Sequence, residues 1–181
     1  MGKNEYSSVC VELFQNEKYF ISPDVHTVIG YMLQWIDSTV MLETSCTDKE
    51  LGAEIIKAAT FSLSFEANQE EIENERQKRK GENTYWARLA GIKNWSSFVK
   101  KTEMVRLVFF PNRIDICRYF RWKNLSFGPI SDGNVARFLG VPVTEELINK
   151  TKFAFPASAT PDEIGKAVKT LFELEVKGKK I

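Results

Sequence analysis

Leu42-Glu43-Thr44-Ser45-Cys46-Thr47-Asp48-Lys49-Glu50-Leu51-Gly52-Ala53-Glu54-Ile55 reads as extended chain turning sharply into an amphipathic helix. Thr-x-x-Glu before an apolar periodic run is a capping box. The Thr47 hydroxyl takes a backbone N–H of the first turn, and Glu50 reaches back to the N–H of Thr47. More than a hundred residues later the pattern returns as Phe155-Pro156-Ala157-Ser158-Ala159-Thr160-Pro161-Asp162-Glu163-Ile164-Gly165-Lys166-Ala167-Val168. The apolar residue, the Ser, the Thr, the Glu, Leu51 or Ile164, the Gly, and Ile55 or Val168 all match at one constant offset, without a gap. In each copy the Gly falls one turn inside the helix, where it suits a close approach to a neighbour. Two related strand–capped-helix units are therefore the strongest architectural signal in the chain.

The rest of the sequence is read around these units. Ser8 to Phe14 alternates, with Val9, Val11 and Leu13 on one face, and predicts a strand. Gln15-Asn16-Glu17-Lys18 is a polar turn, after which Tyr19-Phe20-Ile21 returns as a second strand that Ser22-Pro23-Asp24 stops. Val28 to Trp35 is apolar around Gly30 and fits either element type. Val40-Met41-Leu42 is a short strand feeding a helix over about 48–60. Glu66 to Lys80 is strongly charged, acidic first and basic last, as a helix dipole favours, with Glu75 and Arg79 at i,i+4. Tyr85–Leu89 and Trp95–Val99 read as short helical turns.

Met104 to Phe110, Pro111-Asn112-Arg113 and Ile114 to Trp122 form the clearest hairpin. Val105, Leu107 and Phe109 share one face, as do Ile114, Ile116, Arg118, Phe120 and Trp122. Ser126–Gly133 is turn-rich, Asn134–Gly140 and Thr144–Lys150 are short helices, and Phe153–Phe155 is the strand before the second unit. Strands arrive as neighbouring hairpins, not as regular β-α-β alternation. The fold class is α+β: a mixed, mainly antiparallel sheet with packed helices. With 181 residues, 43% apolar, the expectation is one domain over 1–181 that needs neither disulfide nor metal to fold.

Composition narrows the function classes. A net charge of +1 argues against a dedicated nucleic-acid or membrane binder. No apolar run reaches the roughly 18 residues of a spanning helix. Met1-Gly2-Lys3-Asn4-Glu5 leads into no apolar signal region, and Tyr6 stands where a myristoylation motif wants Ser or Thr. Cys10, Cys46 and Cys117 are odd in number and far apart, which fits small core residues in a reducing compartment.

The sequence is poor in the usual catalytic patterns. His26, the only histidine, follows Pro23-Asp24 in what reads as a loop, where Asp24 is near enough to orient it, although a histidine bonding backbone is the plainer reading. The cysteines have no metal spacing, no Ser lies in a nucleophile elbow, and no Gly-rich phosphate loop occurs. The expectation is a protein with no catalytic residue, no metal and no cofactor.

Two charged stretches remain. Arg106, Arg113, Arg118, Arg121 and Lys123 interleave with Tyr119, Phe120 and Trp122, so the hairpin over 104–123 offers a nucleic-acid-binding alternative in which rings stack bases and cations hold phosphate. The plainer reading is a hairpin whose aromatics face the core. Glu66, Glu70, Glu71, Glu73 and Glu75 form an acidic run that reads either as a solvated helix face or as a surface steering a basic partner.

The order of features resembles the immunity proteins of bacterial contact-dependent growth inhibition systems, the CdiI family. The likeness rests on Tyr19-Phe20-Ile21-Ser22-Pro23, Gly30-Tyr31, the Ser45-x-Thr47-x-x-Glu50-Leu51-Gly52 unit running into Ala58-Ala59-Thr60-Phe61-Ser62, Trp86, Gly91-Ile92-Lys93, and the hairpin before a closing helix. It covers most of the chain, while the charged stretch from Glu70 to Lys80 departs from the pattern. The resemblance implies a cytoplasmic protein, monomeric when free, that binds and neutralises the C-terminal toxin domain of a contact-dependent effector. Toxins paired with the family include RNase A-like ribonucleases, which are basic. On that footing Glu66, Glu70, Glu71, Glu73 and Glu75 are the expected toxin-binding residues.

Overall fold

The computed structural model describes residues 5–78, 90–92, 95–122 and 126–176. The first hairpin is β1 (Ser7–Phe14) and β2 (Lys18–Thr27), joined by a turn in which Gln15 and Asn16 adopt positive φ. Short strands β3 (Met32–Gln34) and β4 (Val40–Glu43) follow, separated by a 3-10 turn, Ile36–Ser38. Helix α1 spans Asp48–Ser64, one turn longer than the sequence predicts. Next come β5 (Glu66–Ala67), α2 (Gln69–Lys78) and α3 (Trp95–Lys100). The second hairpin is β6 (Thr102–Phe109) and β7 (Arg113–Trp122), followed by β8 (Ser126–Pro129), α4 (Gly133–Leu139), α5 (Glu145–Lys150), β9 (Lys152–Pro156) and α6 (Pro161–Glu173). The predicted helical turn at 85–89, and Trp86, lie outside the described residues.

The sheet is mixed and mainly antiparallel, as expected. Its path is β3-β2-β1-β6-β7-β8, with β4 and β5 also pairing β2, and β9 pairing β7. Among the described residues, only the β2–β5 pairing is parallel.

The chain is two copies of one plan. Each copy is a hairpin, then two short strands that share one outer edge, then a capped helix. In the first copy β3 and β4 share the free edge of β2, and α1 follows. In the second, β8 and β9 share the free edge of β7, and α6 follows. The two hairpins meet back to back along β1 and β6, which pair antiparallel at the centre of the sheet. Equivalent residues do equivalent work: Val9 and Val11 answer Val105 and Leu107, Tyr19 and Ile21 answer Ile114 and Ile116, and all are buried beneath α1 and α6.

The principal core lies between one sheet face and these two helices. Leu51 and Ile55 of α1 and Ile164, Val168 and Leu171 of α6 meet the apolar residues of β1, β2, β6 and β7. Burying each such side chain contributes roughly 1.5–3 kcal/mol. The two helices sit against each other through the matched glycines. A methyl on Gly52 would stand 1.8 Å from the carbonyl oxygen of Pro161, and one on Gly165 would stand 1.9 Å from that of Asp48. Both capping boxes are formed: Thr47 and Thr160 accept from the N–H of Glu50 and Glu163 at 3.2 and 3.3 Å, and their own N–H groups donate back to those carboxylates at 2.7 Å.

Among the described residues, three smaller clusters add to the core. Phe98 and Val99 of α3 pack with Phe14, Phe20 and Ile36. Val135, Ala136 and Leu139 of α4 pack with Phe120 and Ile130. Ile72 of α2 enters a site made by Val25, Trp35 and Ala67.

Two expectations are corrected. The second strand does not stop at Ser22-Pro23-Asp24, because β2 runs through Pro23 to Thr27. Proline lacks a donor, which normally bars it from an inner strand. Here its nitrogen shares a side with its own carbonyl, which accepts from Trp35 N at 2.7 Å where the outer strand breaks between β4 and β3. The missing donor therefore meets a gap in the ladder. Residues 126–129, read as turn, are strand β8 paired with Tyr119–Trp122.

Candidate functional site

The acidic run is not one helix. Glu66 belongs to β5, where it pairs with His26, and α2 begins only after Asn68. Asn68 and Glu71 make a third reciprocal cap: Asn68 Oδ1 accepts from Glu71 N at 3.0 Å, and Asn68 N donates to Glu71 Oε2 at 2.8 Å. Acidic residues at its start and Arg76 and Lys78 at its end suit the helix dipole. Polar almost all round, the helix holds its place through a few specific anchors. Ile72 is fully buried, and Glu75 lies beside it, also fully buried. Glu75 Oε1 accepts from Ile36 N at 2.5 Å, and its other oxygen is 3.3 Å from Lys78 Nζ. Lys78 also pairs with Asp37, and Arg76 Nη2 donates to the Tyr31 hydroxyl at 2.6 Å. Burial opposes the Lys78 cation, but the two carboxylates outweigh it and its pKa is raised.

The five glutamates therefore divide. Glu66, Glu70 and Glu73 are exposed, Glu71 is half-buried in its cap, and Glu75 faces inward and fastens α2 to the 3-10 turn. Arg79, the expected i,i+4 partner of Glu75, lies outside the described residues.

The hairpin over 104–123 is arranged differently from a stacking platform. Arg106 Nη2 is 2.7 Å from Asp24 Oδ2, and its Nε donates to Ser8 Oγ at 3.0 Å. Ser8 Oγ donates to the same Asp24 oxygen at 2.7 Å. Burial works against the Arg106 charge, but Asp24 together with Cys10 and Tyr119 outweighs it and its pKa is raised. Arg113 pairs with Asp115 at 3.2 Å and lies over the Phe110 ring. Arg118 is buried, donating to Leu171 O at the end of α6 at 2.7 Å and pairing with Glu103 at 2.8 Å. Phe120 is buried and Trp122 packs against the cluster below α4. Three of the four arginines named from the sequence are thus neutralised within the fold, and Lys123 lies outside the described residues.

His26 is a strand residue, not a loop residue. Its Nε2 lies 2.9 Å from the carbonyl oxygen of Tyr6, and its ring meets that of Tyr6 edge-on. Asp24, the expected orienting group, is committed to Ser8 and Arg106. The cysteine thiols are all pushed toward the unreactive protonated form. Burial raises Cys10, with Asp24 adding to it, burial raises Cys46, and burial lifts Cys117 to about 11. A shallow open cleft of about 530 Å³ lies between β4 and the start of α1, lined by Leu42, Ser45, Cys46, Ala53 and the carboxylates Glu43, Glu50 and Glu54. Glu43 pairs with Lys18, Glu54 with Lys57, and Glu50 serves its cap. Among the described residues no group of His, Cys, Asp and Glu is placed to hold a metal ion, and no helix is long and apolar enough to cross a membrane.

The described residues form a double-unit scaffold that carries a helix with exposed acidic residues. Comparison with solved structures agrees on the fold. A protein of unknown function from Neisseria meningitidis, NMB0488, superposes with a TM-score of 0.64 at 13% identity, covering 96% of this chain and 97% of its own. A chain of the CdiA-CT/CdiI toxin and immunity complex from Yersinia pseudotuberculosis gives 0.63 at 13% identity, covering 94% and 97%. No curated protein matches the sequence. The family model for CdiI, CDI immunity protein, matches residues 10–174. Over nearly its whole length, then, the chain belongs to the CdiI family of contact-dependent growth inhibition immunity proteins.

Proposed function

We propose that this protein neutralises a cognate toxin domain by binding it directly and covering its active site, with no chemistry of its own. The observation that carries this reading is the acid-faced α2. Polar helices of this kind need strong anchoring to stay ordered, and here a buried carboxylate is spent on holding the helix while Glu66, Glu70 and Glu73 are left facing solvent. Such a surface suits a basic partner, as an RNase A-like ribonuclease would be, because carboxylates can mimic the phosphates that a nuclease site is built to hold. The Yersinia relative of the same fold was solved as a toxin and immunity complex, which supports the same kind of partner here. On this reading the protein acts in the cytoplasm, is monomeric when free, and uses Glu66, Glu70, Glu71 and Glu73 at the interface, with Glu75 positioning their helix. Blocking a catalyst demands tight binding: a nanomolar Kd corresponds to about −12 kcal/mol, commonly through about 1,600 Å² of buried surface.

The test is co-expression with the C-terminal domain of the effector encoded beside this chain. Survival with this protein, death without it, and a stable complex by co-purification are expected. Death in both cases, with no complex, would overturn the reading. An RNA-cleavage assay on the purified toxin domain decides whether it is a ribonuclease.

A further inference from the structure

The turn between β2 and β3 carries two exposed β-branched residues that its own geometry does not require. Thr27-Val28-Ile29-Gly30 closes with Gly30 N donating to Thr27 O at 2.9 Å, and Gly30 takes φ +86°. Thr27 then bonds Tyr31 through backbone and hydroxyl, at 3.0 and 2.7 Å. This is a three-residue hairpin loop specified by Thr27 and the left-handed glycine. The two central positions favour small polar residues, and β-branched chains are stiff there. Yet Val28 is 54% and Ile29 52% exposed, the largest exposures among the large apolar side chains of the described residues in the first half of the chain.

Their surroundings extend the patch. Val28 N donates to Ala67 O at 3.0 Å, which sets the turn beside β5 and the start of α2. Tyr6, also exposed, packs on His26 just before the turn. Leu63, half exposed, is at the same end of the sheet, because its neighbour Ser62 bonds the carbonyl of Asp24. The acids Glu66 and Glu70 border this end. Apolar projections bordered on one side by carboxylates have the anatomy of a binding hot spot with a charged rim.

Resting on the immunity reading above, we infer that Val28 and Ile29, flanked by Tyr6 and Leu63 and rimmed by Glu66 and Glu70, are the anchor of toxin binding. The matching surface on the toxin is an apolar recess bordered by lysine or arginine. The anchor governs how long the complex lasts, and the acidic rim governs how fast it forms.

The experiment measures binding kinetics between the full chain and the adjacent effector's C-terminal domain. The variants are Val28→Ser/Ile29→Ser and, as a control on a remote exposed apolar pair, Phe138→Ser/Val143→Ser. Unchanged circular dichroism and Tm establish that both fold. The turn variant is expected to dissociate about tenfold faster or more, with the association rate within about twofold of wild type. The control is expected to match wild type. Wild-type dissociation by the turn variant, or loss in the control instead, overturns the inference and leaves the immunity reading standing. A wild-type chain that binds no toxin overturns both. If wild type sediments as a dimer that the turn variant dissolves, the patch is a self-association surface and the inference falls.

Discussion

Gly52 and Gly165 are exchanged partners: each lies against the first helical residue of the other's helix, Gly52 on the backbone of Pro161 and Gly165 on the backbone of Asp48. The sequence repeat is thereby also a packing relationship. The two units meet through the same positions, as the halves of a two-fold pair do. Helices normally pack 8–10 Å apart with side chains between them. Here backbone meets backbone, and only glycine permits it.

Gly52→Ala and Gly165→Ala are expected to destabilise by about 3 kcal/mol each, the upper range for forcing extra atoms into a packed site. The sign is diagnostic, since at an exposed helix position the same change would stabilise by about 1 kcal/mol. The double variant should cost less than the sum, because one substitution already parts the helices for the other. Urea denaturation of the three variants measures this, and a neutral Gly52→Ala would contradict the contact.

Thr47→Ala or Thr160→Ala should lower stability by about 1 kcal/mol through loss of the cap. The capping glutamates add a pH dependence. Backbone and hydroxyl hydrogen bonds from Thr47 and Thr160 hold the Glu50 and Glu163 carboxyls below their ordinary pKa. A lowered folded-state pKa means the unfolded chain binds more protons. The stabilisation is therefore full above the ordinary carboxylate range and is lost as pH falls through the lowered value. Between about pH 5 and pH 2, wild type should lose more stability than Glu50→Gln/Glu163→Gln. Parallel Tm-against-pH curves would refute it.

Asp24 joins β2 to β1 and β6 by accepting from Ser8 and Arg106, while its backbone carbonyl accepts from Ser62 of α1. Asp24→Asn leaves the Arg106 cation without its counter-charge. With Arg106 still partly solvated, a cost of about 3 kcal/mol is expected, the low end for breaking a buried pair. Asp24→Leu/Arg106→Met, which removes both charges, should cost less than Asp24→Asn alone. Chemical denaturation distinguishes the two outcomes.

Charge reversal at Glu70 and Glu73 should slow toxin association, more at low salt than at high, because both are exposed. Glu75→Ala acts by another route. It leaves the Ile36 N–H without its acceptor at a buried site, costing about 1–3 kcal/mol. It should loosen α2, read out as faster amide exchange over 69–78. If Glu75→Ala leaves exchange over α2 unchanged, the buried carboxylate is not its anchor.

Much of the fold was legible because it is local. The two Thr-x-x-Glu boxes, the alternation in β1 and the hairpin around Pro111-Asn112 are set by residues a few positions apart, and each formed where the spacing predicted. What the sequence left undecided depended on partners distant in the chain. Pro23 ended a strand on paper, yet β2 continues because the outer strand breaks opposite it. Glu75 belonged to an acidic run until tertiary packing turned it inward beside Ile72. Arg106 and Arg118 read as part of a basic surface until the fold supplied Asp24 and Glu103. Capping, turn geometry and periodicity are short-range and can be read from one chain segment. Burial and charge pairing belong to the assembled fold, so which charges are buried or paired and which stay exposed was decided only there.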